Sequence, residues 1–114
     1  MIKVCVLSGH EFVEAKLMYV RFIEITSSSI TQFDMAVSWF KTEWSVLAVK
    51  GGAISYDMVK LSDNSGMIVV YWPDEKTAKN FLLGNSDRVK DMMAQNKTRM
   101  REGPLLFSSK EDGS

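Results

Sequence analysis

The side chains best suited to acid–base, nucleophilic or metal chemistry are scarce in this chain of 114 residues. It contains one histidine, His10, and one cysteine, Cys5. Zinc and iron sites usually draw three or four ligands from His, Cys and carboxylates, and no acidic cluster suggests a magnesium site. A Ser-His-Asp or Cys-His arrangement would have to use His10, which falls in a predicted loop. We therefore expect no metal centre, no nucleophilic triad and no cofactor.

An amide within a methionine-rich stripe is the most informative polar feature of the sequence. A helix is predicted to begin at Ser86 and to end at Gly103-Pro104. Asn96 lies in the middle of its apolar face, where a polar group loses hydration unless it finds a partner. Its amide could orient a bound molecule, bond to a strand backbone or a buried water, or lie at the rim. The other residues of that face are Val89, Met92, Met93 and Met100.

Methionine is flexible and polarisable, so this stripe could line an adaptable binding surface or form plain core. A second helix of about twenty residues is predicted to face it, capped by Ser29 and stopped by Gly51-Gly52. If a cleft separates the two faces, its lining would suit a flat aromatic or a long aliphatic chain. The apolar residues of the long helix recur at the 3.6-residue period and are Phe33, Ala36, Val37, Phe40, Trp44, Leu47 and Ala48.

Trp39 lies off the main stripe of the long helix, grouped with Met35 and Val46. A second apolar strip of this kind suits a cleft mouth or a subunit contact. It would equally suit packing against the N-terminal segment.

Two predicted strands are apolar on both sides. In the predicted strand Leu17–Thr26, Tyr19 and Arg21 lie on the same side as two isoleucines, and the residues on the opposite side are also apolar. The run Met67–Trp72 has no polar alternation, so both of its faces should be covered. A buried Arg21 would need an anionic partner, such as a substrate carboxylate or the side chain of Glu24 or Asp57.

The element order is strand, helix, strand, strand, helix pair, strand, which is the split βαβ arrangement of a ferredoxin-like fold. We predict one α+β domain over residues 1–114, with a four-stranded antiparallel sheet and helices on one face. Residues 1–16 would form an extension or an extra strand, and residues 108–114 a frayed tail. The remaining predicted elements are a hairpin of Ile54–Leu61 and Met67–Trp72 turning at Ser62–Gly66, a helix over Asp74–Leu83, and an edge strand over Leu105–Ser109.

The charge balance and the cysteine content of the chain limit the partners and the compartment that we expect. Fourteen basic residues balance fourteen acidic ones, which gives no electrostatic reason to expect nucleic acid or an anionic membrane. The apolar N-terminal stretch is too short for a signal-peptide core or a bilayer span, and a lone cysteine favours a reducing compartment. We expect a cytoplasmic protein.

The doubly apolar strands also predict a homodimer. Helices cover only one face of a ferredoxin-like sheet, and each apolar side chain left on the open face forgoes about 1.5–3 kcal/mol of burial. A second sheet packed face to face under two-fold symmetry would cover that face. Alternatively, the N-terminal segment folds over the sheet and the protein is a monomer.

The order of elements, the chain length, the broken second helical segment and the doubly apolar sheet resemble the dimeric α+β barrel superfamily. This superfamily includes antibiotic-biosynthesis monooxygenase-like and haem-degrading proteins, and the resemblance covers about residues 17–109 by architecture. It implies a small-molecule site between helices and sheet. Haem-degrading members use a helix histidine as axial ligand, and neither helical region here contains one, so the resemblance does not extend to haem.

Three functions follow as hypotheses. The first is a dimeric protein that binds an apolar or amphipathic molecule, fatty-acid-like or polyketide-like, in that cleft. The second is a monooxygenase or isomerase without a cofactor, in which side chains only position the substrate. The third is an interaction module without a ligand. The predicted ligand-binding residues are Asn96, Met92, Met93, Met100, Phe33, Phe40, Trp44, Tyr19 and Arg21.

Overall fold

The computed structural model describes residues 18–109. The expectations for Cys5, His10, the N-terminal extension and the last five residues lie outside this range. The strands are β1 Tyr19–Thr26, β2 Ser55–Ser62, β3 Ser65–Trp72 and β4 Lys97–Pro104. The helices are α1 Ile30–Trp39, a π-helical turn Phe40–Trp44, α2 Ser45–Lys50, α3 Glu75–Gly84 and α4 Ser86–Gln95.

The four strands form one antiparallel sheet in the order β2-β3-β1-β4. This confirms the predicted ferredoxin-like α+β fold. Both edge strands, β2 and β4, neighbour only one strand each, whereas β1 and β3 occupy the centre. Within residues 18–109, no helix is both long enough and apolar enough to span a bilayer.

The long helical stretch, residues 30–50, begins and ends as predicted. The hydroxyl of Ser29 accepts a hydrogen bond from the backbone N–H three residues on, at 3.0 Å. At the other end, a Cβ on Gly51 would lie 2.7 Å from the Phe81 ring, and Gly52 has a φ of +102°. The close approach favours glycine at Gly51, and the left-handed backbone favours it at Gly52.

The last helix and last strand differ from the prediction. Helix α4 ends at Gln95, Asn96 adopts extended backbone, and the next eight residues pair with β1 along its whole length. The predicted helix to Gly103-Pro104 is therefore wrong, as is the predicted strand over Leu105–Ser109. The physical reason is that β1 lies inside the sheet, so the backbone N–H and C=O groups on both of its edges need hydrogen-bond partners. The segment from Lys97 onwards, with its alternating side chains, provides those partners on the second edge.

The hairpin turn is also tighter than predicted, because β2 extends to Ser62 and β3 begins at Ser65. Asn64 ties this turn to the end of β1. Its side-chain N–H donates to the backbone oxygen of Ser27 at 2.7 Å, and its own backbone oxygen accepts from the Ser27 N–H at 2.8 Å.

One continuous core lies between the sheet and the helices. The strands contribute alternating residues to it, so Ile68, Val70 and Trp72 are buried while Met67, Val69 and Tyr71 on the other parity are only partly covered. The core consists of Tyr19, Ile25, Phe33, Ala36, Phe40, Trp44, Ala48, Ile68, Val70, Trp72, Ala78 and Phe81.

Candidate functional site

A small cavity lies between the helices and the sheet, where the resemblance places a ligand site. Its volume is about 30 Å³, enough for roughly one or two water molecules. The sheet contributes its floor, and the long helix, α3 and α4 contribute its walls. The lining residues are Arg21, Ile23, Trp39, Phe40, Trp44, Phe81, Leu82, Val89, Met92, Met93, Thr98 and Met100.

Most of the predicted ligand-binding residues meet at this cavity. Those that line it are Arg21, Phe40, Trp44, Met92, Met93 and Met100. Met100 reaches it from β4, where it pairs with Ile23, and not from a helix as predicted. Phe33 and Tyr19 belong to the surrounding core, and Asn96 lies in a neighbouring groove.

The π-helical turn positions two of the aromatic walls. Phe40 and Trp44 stand at its two ends, and the N–H of Ser45 donates to the oxygen of Phe40 in the widened i→i+5 pattern. The hydroxyl of Ser45 donates to the carbonyl of Lys41 at 2.6 Å, and that of Thr42 to the carbonyl of Ser38 at 2.9 Å. These side chains give the widened turn hydrogen bonds beyond those of the backbone. Such turns occur frequently at functional sites.

Arg21 is the only charged group in the lining, and its side chain is 1% exposed. Its Nε donates to Glu102 Oε1 at 2.8 Å, and its Nη1 donates to the carbonyl oxygen of Ala78 at 3.0 Å. The guanidinium also lies 5.8 Å from the centre of the Trp72 ring. Its anionic partner is therefore Glu102, and the expectation of Glu24 or Asp57 is wrong. The register explains this, since Arg21 and Glu102 lie directly opposite each other on β1 and β4.

Nη2 of Arg21 also lies 2.7 Å from Glu102 Oε1, the oxygen that accepts from Nε, so the guanidinium and the carboxylate form a close ion pair. Within residues 18–109, the buried indole N–H of Trp72 has no hydrogen-bond acceptor. Trp72 belongs to the core and is not part of the cavity lining.

Tyr19 lies near the same charged group at the edge of the site. Burial raises the pKa of its hydroxyl above the ordinary value of 10.0, and the negative charge of Glu102 raises it further. Tyr19 is therefore a neutral phenol at physiological pH and has no role as a base there.

Asn96 caps α4 and is fully engaged by the chain itself. Its side-chain oxygen accepts from the Ser27 hydroxyl at 2.5 Å, and its N–H group lies 3.3 Å from the oxygen and 3.0 Å from the sulfur of Met92. These contacts hold the end of α4 against the end of β1. They also satisfy the buried amide without any ligand.

A larger groove, of about 420 Å³, runs between α1 and α4 beside the cavity. Trp39 and Met92 line both spaces, so their side chains form the partition between them. Helix α4 is the weakly anchored wall, since none of its ten residues is buried. The groove is lined by Gln32, Met35, Ala36, Trp39, Glu43, Arg88, Asp91, Met92, Gln95 and Asn96.

The sheet face opposite the helices carries both apolar and basic groups. Phe22 is 39% exposed and Val59 is half exposed, and Met67 and Tyr71 share this face by register. On the edge strand β4, the side chains of Lys97, Arg99 and Arg101 alternate with helix-facing ones. A shallow concavity of about 220 Å³ lies at Phe22, Glu24, Met67, Arg99 and Arg101.

By sequence, the chain matches no protein-family model and no curated protein. By structure, it resembles a dimeric ferredoxin-like protein from an uncultured marine organism, with a TM-score of 0.69 and 7% identity over 81% of this chain and 98% of that one. Its fold is therefore ferredoxin-like, and the predicted ferredoxin-like architecture is confirmed.

Two further structural relatives carry named activities. One is SnoaB, a cofactor-independent oxygenase from Streptomyces nogalater, with a TM-score of 0.68 and 14% identity over 85% of this chain and 100% of that one. The other is a Streptomyces coelicolor monooxygenase in complex with nanaomycin D, with a TM-score of 0.68 and 7% identity over 85% and 95% of the two chains. At these identities the likeness concerns the fold.

Proposed function

We propose that this protein is a homodimer whose subunits each bind an apolar or amphipathic small molecule between the helices and the sheet. The observation that carries the proposal is the cavity lined by methionine and aromatic side chains, with Arg21 as its one charged group. A pocket of this composition, mostly apolar with a few polar groups such as Arg21 and Thr98, is the usual form of a small-molecule site.

At about 30 Å³ the cavity must open before it can accept such a molecule. The partition formed by Trp39 and Met92 separates it from a groove of about 420 Å³, and displacing that partition would join the two spaces. Methionine changes conformation readily, and α4, with no buried residue, is the wall that moves at least cost. The ligand would therefore enter from the groove by displacing these two side chains.

The dimer part of the proposal concerns the open sheet face. Phe22, Val59, Met67 and Tyr71 leave apolar area there that a second copy would cover. A second sheet of the same kind matches it in shape, and the marine relative with the same fold is described as dimeric. We expect two-fold packing of the two open faces, with the helices on the outside of both subunits.

Native mass spectrometry of freshly purified protein, before and after organic extraction, tests ligand binding. We expect an extra mass that extraction removes, and displacement of a fluorescent fatty-acid probe by fatty acids or quinols. Met100→Trp should fill the cavity and abolish probe binding, whereas Val46→Trp, at a 52% exposed position of the outer strip that lines neither the cavity nor the groove, should not. Identical masses and no displacement would refute the binding function and favour an interaction module.

A second candidate is a cofactor-independent monooxygenase or isomerase, supported by the shared fold with SnoaB. In that case the substrate supplies the electrons, and cavity side chains such as Trp44 would only orient it. Oxygen uptake with a panel of hydroquinone-like substrates tests this candidate. Turnover no faster than in buffer across the panel would remove it, without affecting the binding proposal.

A further inference from the structure

A row of residues that crosses the open sheet face has an acid at one end and a base at the other. Asp57 of β2 lies opposite Val69 of β3, which in turn lies opposite Phe22 of β1. Phe22 lies opposite Arg101 of β4. Residues paired in this way point to the same face, and the two ends of the row are about 14 Å apart across three strand spacings. Asp57 and Arg101 are both exposed, and within residues 18–109 neither forms an ion pair.

The rest of the β4 edge on this face is also basic. Lys97 and Arg99 point the same way as Arg101, and none of the three has an ion-pair partner in the described part of the chain. Glu24 lies opposite Arg99 in the register, so this neighbouring row can balance its own charge when the face is covered. The face therefore has a basic edge at β4, an apolar centre, and the carboxylate of Asp57 at the β2 edge.

Two open faces that pack under two-fold symmetry can be turned in two ways. With the axis across the strands, β4 lies over β4 and β2 over β2, so the basic side chains of both subunits meet at one edge. With the axis along the strands, β4 of each subunit lies over β2 of the other, and corresponding rows coincide. Arg101 of one subunit then faces Asp57 of the other, twice in each dimer. Because like charges placed opposite each other oppose association, the charges of this face favour the second arrangement.

We infer that the two-fold axis of the homodimer runs along the strands and that reciprocal Arg101–Asp57 ion pairs fix this orientation. This rests on the dimer part of the proposed function and specifies which surfaces of the two copies meet. The lengths fit, because sheets packed face to face lie about 10 Å apart and a long arginine with a short aspartate bridges that gap. Phe22 of each subunit lies over Val69 of the other in the same row, which places apolar area between the two ion pairs.

Charge reversal at the two ends of the row tests the inference by sedimentation velocity of the full chain at several concentrations. Asp57→Lys places a second cation against Arg101, and Arg101→Glu places a second acid against Asp57. Each variant alone should therefore dimerise at least about tenfold more weakly than the wild type. An equimolar mixture of the two variants restores both pairs of opposite charges and should form a heterodimer about as tight as the wild-type dimer. Recovery in the mixture also shows that both variants fold.

Two matched charge reversals on the helix side of the subunit are the controls. Asp34→Lys on α1 and Lys76→Glu on α3 change exposed residues that lie away from the open face, and both should leave the dissociation constant unchanged.

Each contrary result has a distinct meaning. A tighter dimer in Arg101→Glu would show that β4 lies over β4 and would overturn the orientation. Dissociation constants equal to that of the wild type in both variants, or no recovery in the mixture, would show that Arg101 and Asp57 do not meet across the interface. A wild-type chain without any dimer would refute the dimer itself, and that result is obtained before any variant is made.

The salt dependence of the wild-type dimer gives a second readout. Ion pairs at the rim of an interface are screened by salt, so the wild-type dissociation constant should rise between low and high ionic strength. The equimolar mixture should show the same dependence, whereas each variant alone should dimerise more tightly as salt screens its like charges. A variant that weakens further with added salt would contradict the pairing.

Discussion

Replacing Phe22 by alanine tests whether the open sheet face is where two subunits meet. A phenylalanine side chain offers about 200 Å² of surface, and Phe22 is 39% exposed in the single chain, which leaves roughly 80 Å² to be buried on association. At about 25 cal/mol per Å², that area contributes about 2 kcal/mol per subunit. Alanine retains part of it, so we expect a loss of about 3 kcal/mol for the two copies, or roughly a hundredfold weaker dimer.

The assay is sedimentation velocity over a concentration series from nanomolar to micromolar. Phe22→Leu, which keeps most of the apolar area, should weaken the dimer less than about tenfold. Leu83→Ala removes a 76% exposed leucine from α3, outside the sheet, and should leave the dimer unchanged. A wild-type chain that sediments as a monomer at micromolar concentration would refute the dimer. Equal dissociation constants for Phe22→Ala and wild type would show that the subunits meet elsewhere.

Three further predictions concern the groups that hold the site. Ser27→Ala deprives the buried Asn96 oxygen of its donor and should lower the free energy of unfolding by about 1–3 kcal/mol in urea titration, with an unchanged midpoint contradicting it. Gly66→Ala places a Cβ 2.9 Å from both the Phe33 ring and a strand carbonyl, and should cost about 1–3 kcal/mol by overpacking; Gly84→Ala, with open space around it, is the control. Because the pKa of Tyr19 is raised in the folded state, stability should be intact at neutral pH and fall as the pH rises past the ordinary value of 10.0. Tyr19→Phe should flatten that alkaline loss, and identical alkaline profiles would refute the assignment.

Local patterns of the sequence were enough to predict most of the fold. The Ser29 cap, the apolar period of the long helix and the Gly51-Gly52 stop depend on neighbours within a few residues, and all three are present. The segment after Asn96 was mispredicted because Met92, Asn96 and Met100, spaced by four, fit a helix, while the alternation of Thr98 and Met100 fits a strand equally well. Pairing with β1 decides between them, and the local sequence does not contain that pairing.

The partner of Arg21 could not be predicted for the same reason. Glu102 lies 81 residues away along the chain, and only the strand order places it opposite. The alternation of β1 placed Arg21 on the same side as Tyr19 and two isoleucines, but an acidic partner on that side must come from a strand whose register was unknown. The prediction that Met92 and Met93 share a lining with Phe40 and Trp44 needed only the helix faces, and these four side chains meet at the cavity. Met100 also lines the cavity, but from β4 and not from the predicted helix.

The π-helical turn follows from a feature of the apolar spacing. The buried residues of the long helix after its first turn are Ala36, Phe40, Trp44 and Ala48, in successive steps of four. At 3.6 residues per turn each step of four advances about 40° around the helix, so the last side chain would lie about 120° from the first. A widened turn absorbs this drift, and the widened turn begins at Phe40 and ends at Trp44. The same change directs both aromatic rings to the cavity. Deleting one residue of this turn would restore a regular α-helix, and we expect that variant to fold but to lose ligand binding.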